Sequence, residues 1–252
     1  VKLYDIITED VADEKRLDLI ADQLVNIMIS HAKRELSDDE MLHVPTHIIP
    51  LGRVRQVVDS KTLGPLYGRL GMLKFGYTFF PIDEGRTHAE VDWQKKRITI
   101  FVPVNGRTMR PSMPKMKLHS SIVHELRHAL DYSLSKGKAI TDKPVKGASV
   151  PKSRKQFGSY EREAAEVNAR ASEAMLLVRR YIVQAVNRGR QLNNEQLKKI
   201  IMRSLREKRL TNIFQTETPG RPTDNKQFRQ LFNRMLKYAD DFIEELRRQE
   251  RI

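Results

Sequence analysis

Ser121-Ile122-Val123-His124-Glu125-Leu126-Arg127-His128-Ala129-Leu130-Asp131-Tyr132 is the stretch on which the reading of this chain turns. Leu118, Ile122, Leu126, Ala129 and Leu130 recur at three- and four-residue steps, so Lys117 to Ser133 reads as a helix with one apolar face. Residues four apart on a helix lie one turn above each other. His124 and His128 therefore share a face, and both imidazoles can reach one metal ion. Glu125, beside the first histidine, is placed to act on a water held by that ion.

The chemistry explains the residue types. A zinc ion makes its bound water more acidic, and a neighbouring carboxylate takes the proton as the water attacks a polarised carbonyl. Catalytic zinc usually has three protein ligands and one open position. The chain has no cysteine, so a third ligand must be a histidine or a carboxylate. About forty residues on, Tyr160-Glu161-Arg162-Glu163-Ala164-Ala165-Glu166-Val167 opens a long helical pattern with three candidates. Glu166, between small and apolar neighbours, fits a face pressed against another helix. Glu163, Glu161, His119 and His88 stay open as alternatives. Two surface histidines that bind nothing are the plain reading of the same pattern.

Outward from the motif helix, Glu90 to Trp93 and Arg97 to Val102 read as a β-hairpin turning at Gln94-Lys95-Lys96. His47 to Leu51 suits a short strand, and Asp13 to Lys33 an amphipathic helix. The glycine- and aromatic-rich stretch from Gly64 to Phe80 gives no clear period. Lys136 to Gly158 is basic, rich in Gly, Pro and Ser and almost without apolar residues, which reads as a mobile loop. Three helices follow: Tyr160 to Arg188, Asn194 to Arg209 entered through the capping residues Asn193 and Asn194, and Lys226 to Gln249. The expectation is an α+β core over 1–189, with a small antiparallel sheet and the motif helix, and a helical C-terminal extension over 190–252.

Val123 to Tyr132 resembles the active-site helix of the zincin metallopeptidases, in wording close to the thermolysin-like enzymes. The resemblance covers residues 88–180. It implies a zincin-like core, Zn2+ as cofactor, His124 and His128 as zinc ligands, Glu125 as catalytic base, and a downstream glutamate, Glu166, as third ligand. The function implied is a zinc-dependent hydrolase, a peptidase acting on a protein or peptide. Small size and the basic insertion are similar to phage- or mobile-element-encoded HExxH proteins. The thermolysin-like pattern also has an aspartate one turn after the third ligand, where it orients a zinc-binding imidazole. Arg170 stands there in this chain and can accept no hydrogen bond. Asp131 can supply an acceptor instead, and Tyr160 or Tyr132 can donate to a developing oxyanion.

A net charge of +14 predicts attraction to a polyanion or an acidic partner surface. The competing function is thus a basic structural or nucleic-acid-binding protein, for example of a phage particle, on a non-catalytic zincin fold. Arg203, Arg206, Lys208, Arg209, Arg229, Arg234, Arg247 and Arg248 mark where such a partner would dock. No run reaches the roughly 18 apolar residues of a membrane span, and Val1 to Asp10 lacks a secretion-signal pattern. A cytoplasmic or virion-associated protein is expected.

Overall fold

Periodic apolar residues account for every long element of the computed structural model, which describes residues 11–35, 47–50, 66, 70, 73–81, 88–92, 95–104, 114–134, 164–214 and 225–248. The elements are α1 (Val11–Glu35), β1 (His47–Pro50), β2 (Lys74–Pro81), β3 (His88–Asp92), β4 (Arg97–Val104), α2 (Lys115–Leu134), α3 (Ala164–Asn187), α4 (Asn194–Glu207), α5 (Leu210–Ile213) and α6 (Lys226–Arg248). Helix dominates, beside one small sheet. The chain divides into two compact units, one within residues 12–138 and one from residue 139 onward.

In the first unit the sheet has the order β1-β2-β4-β3. The hairpin is formed as expected, with β3 antiparallel to β4. Its turn carries Lys96 at a left-handed φ of 49°, the conformation three- to five-residue hairpin loops use to reverse the chain. The Lys95 amide donates to Asp92 Oδ1 at 2.9 Å and ties the turn down. The sheet as a whole corrects the expectation of an antiparallel one. It is mixed, because β2 lies parallel to β4 at its centre, and β1 is antiparallel to β2.

The physical reason lies in the aromatic strand β2. Phe75, Tyr77 and Phe79 alternate onto one face and are buried. They stand in register with Ile98, Ile100 and Val102 of β4, buried on the same face. Once β3 and β4 reverse the chain twice, β4 runs in the direction of β2. The two richest apolar strands then pair at the centre and leave β3 as an edge. Helix α2 packs on β3 and β4, burying Leu118, Ile122, Val123, Leu126, Ala129 and Leu130.

The second unit is helical in its described residues. Helices α3, α4 and α6 share a core that includes Val178, Ile182, Ile201, Leu205, Phe228, Leu231, Met235 and Phe242. Helix α3 is closed by Gly189 at φ 67°, a left-handed residue whose amide donates to Val186 O at 2.8 Å. Asn193 then caps α4: its side chain accepts from the Gln196 amide at 2.9 Å and Gln196 Oε1 accepts from the Asn193 amide at 3.0 Å. The division expected at residue 189 thus falls between α3 and α4, two helices that pack together. Among the described residues no helix is long and apolar enough to cross a membrane.

Candidate metal centre

The four-residue spacing on α2 does bring His124 and His128 together. Their Nε2 atoms are 3.0 Å apart, and the rings meet edge to face with centroids 4.6 Å apart. Both histidines and Glu125 are half-buried. Two nitrogen ligands on one tetrahedral zinc, each at about 2.0–2.1 Å, would stand about 3.3 Å apart. The imidazole pair has nearly that spacing.

The flank of α2 beside the histidines is held by charge. Arg127, between Leu126 and His128, is 1% exposed. Its Nη1 donates to Glu14 Oε1 at 3.1 Å, and its Nη2 meets Asp131 Oδ1 at 3.1 Å. Further along, His119 Nε2 lies 3.2 Å from Asp18 Oδ1. Lys115 Nζ donates to Asn26 Oδ1 at 2.8 Å and lies 3.5 Å from Asp22. Glu14, Asp18, Asp22 and Asn26 follow one another at four-residue steps, so they form a stripe along α1. Their partners on α2 run in the reverse order, which fixes the two helices as antiparallel neighbours.

A buried cation with two buried carboxylates is costly to desolvate and costlier to break. Such a network therefore specifies the rotation of α2 about its axis, and with it the direction of the two histidines. Sequence reading did not find this support. The signal was present in α1 as acidic residues at four-residue steps beside an apolar stripe. It says that the helix has an acidic flank, not what the flank faces. Asp131, considered as an acceptor for a zinc-binding imidazole, is engaged by Arg127; His119 is engaged by Asp18.

Glu166 sits in the first turn of α3 and is 3% exposed, followed along the helix by buried Val167 and Ala169. Arg170 Nε donates to its Oε1 at 2.7 Å. Arg170 Nη1 also reaches Lys208 O at 3.5 Å. Arg170 therefore serves the glutamate rather than an imidazole. Among the described residues, His124, His128 and Glu166 are the group whose donors could hold a metal ion. Glu161, Glu163, Tyr160 and the 136–158 loop lie outside the described residues, as do the side chains of Tyr132, His88 and Trp93. Compared with known proteins, the chain matches no family model, no curated protein and no solved structure.

Proposed function

We propose that the chain is a metal-dependent hydrolase built on a zincin-like core, with zinc as its ion and a peptide bond as its substrate. The observation that carries the reading is the donor group: one ligand atom each from His124, His128 and Glu166, all within 4.8 Å of one another. Two imidazoles and a carboxylate, without thiolate, make the donor set of open catalytic zinc sites. When bound, the ion would polarise a carbonyl and make a water acidic. Glu125, half-buried beside His124, takes the proton from the attacking water and passes it to the leaving amine. Strand β3 pairs only with β4 among the described residues, and its other edge offers main-chain donors and acceptors to an extended peptide.

Elemental analysis of protein purified without chelator tests the reading. One zinc per chain is expected, lost in His124→Ala and His128→Ala and strongly weakened in Glu166→Ala. Protein that neither carries a transition metal nor takes up zinc on titration overturns it. Release of the metal by Glu163→Ala alone moves the third ligand to Glu163.

A second reading has its own observation. Residues 164–214 and 225–248 hold seventeen Lys and Arg against eight Asp and Glu, and Lys199, Arg203 and Arg206 are exposed on α4. A polyanion binding there would do so through counterion release, with affinity falling steeply as salt rises. Tight, sequence-selective and salt-insensitive binding to nucleic acid, in protein without metal, would favour this reading over the hydrolase.

A further inference from the structure

A glutamate makes a versatile but loose metal ligand. Its side chain turns about three bonds, and its carboxylate can bind through one oxygen or two. Glu166 is not left loose. Arg170, one helical turn further along the same face, donates Nε–H to Oε1 at 2.7 Å, short for an N–H···O contact and typical of a charge-assisted one. The side chains are 17% and 4% exposed, so little water competes for the pair. The guanidinium is itself tethered, since Nη1 also reaches the Lys208 carbonyl oxygen in the turn after α4.

We propose that Arg170 is the positioning residue of the metal centre: by claiming Oε1 it makes Glu166 a one-oxygen ligand of set orientation. The inference rests on the reading of Glu166 as a ligand. A guanidinium near the site also acts the other way, because it repels a cation and draws charge from the carboxylate. Two things decide which effect wins. The positive charge of Arg170 is already matched by the carboxylate it contacts, which leaves little net repulsion. Removing a partner that orients a ligand typically weakens metal binding by 10–100-fold. Positioning therefore dominates, and the planar fork matters as well as the charge.

Zinc affinity of the full chain, measured by competition with a chromogenic chelator, tests this in wild type, Arg170→Gln, Arg170→Lys, Glu166→Gln and the double variant Glu166→Gln/Arg170→Gln. Arg170→Gln is expected to weaken binding by about 10–100-fold. Arg170→Lys keeps the charge without the fork and should recover only part of that loss. In the double variant the Arg170 change should add nothing to the loss from Glu166→Gln, since it acts through that residue. Cobalt(II) reports the geometry: at saturation its visible spectrum should differ between Arg170→Lys and wild type. If circular dichroism shows Arg170→Gln unfolded, the lysine variant carries the comparison. Undiminished affinity in Arg170→Gln overturns the inference and leaves the metal centre standing. Full recovery in Arg170→Lys also overturns it, by reducing Arg170 to a counter-charge. A wild-type chain that takes up no zinc overturns the reading of the site and the inference with it.

Discussion

Helices α2 and α6 are of similar length and are buried in opposite ways. Helix α6 buries Phe228, Leu231, Met235, Tyr238, Ala239, Phe242, Ile243 and Leu246, a stripe with one hydroxyl in it. Helix α2 buries an apolar stripe as well, but adds His119, Arg127 and Asp131. An apolar side chain of Leu or Phe size stabilises by roughly 1.5–3 kcal/mol when buried, through a force without directional demand. A buried ion-pair network contributes little net stability, yet it demands one geometry. The difference teaches what each helix is for. Helix α6 makes a core, whereas α2 makes a core and carries a buried ion-pair network beside its two imidazoles.

The sharpest test of that contrast is catalytic. Glu125→Gln keeps the shape of the side chain and removes the base, so hydrolysis of a peptide library, read as new termini by mass spectrometry, should fall by about 10²–10⁴-fold. Zinc content and melting temperature should stay at wild-type values. Equal cleavage by both proteins would remove Glu125 from the proposed mechanism.

Next in size is the network behind the motif. Arg127→Met leaves Glu14 and Asp131 buried without their cation, which should cost roughly 3–5 kcal/mol in urea unfolding. Replacing Glu14, Arg127 and Asp131 together by apolar residues of similar volume should restore most of that stability while zinc affinity stays reduced. A triple variant with wild-type zinc affinity would show that the network does not aim the histidines.

On α6 the same logic gives a different pattern. Leu231→Ala should destabilise by about 2–5 kcal/mol through the cavity it leaves, and Leu231→Met by under about 1.5 kcal/mol. Zinc affinity of the folded protein should be untouched in both. Removing the α4 cap with Asn193→Ala should cost about 1 kcal/mol, again without effect on metal.

The smallest expected effect is on pH. Burial pushes the Glu207 carboxyl up, but hydrogen bonds from Tyr181 and Arg203 outweigh it and hold the group below the usual carboxylate value. A depressed folded value adds stability above the ordinary carboxylate range, and that stability is lost as pH falls through the lowered value. Glu207→Gln should therefore lessen the acid-side slope of stability slightly. An unchanged slope would show that this exposed cluster contributes nothing.

Much of this molecule was written in local spacing. Four residues per step put His124 and His128 on one face, apolar periodicity marked each long helix, and the pair Asn193-Asn194 announced the start of α4. These features need only the chain's own geometry, so the sequence determined them alone. The parallel pairing of β2 with β4 was not legible. Phe80, next to Phe79, blurs the alternation of Phe75, Tyr77 and Phe79, and nothing local says which strand an apolar face will meet. Nor could spacing reveal that Arg127 would be buried against Glu14, a partner 113 positions away, or that Arg170 would grip Glu166. Such pairings are decided by which charged groups share a buried surface once the helices pack. Only the tertiary structure fixes that, because an ion pair gains its geometry from burial and its partner from the fold.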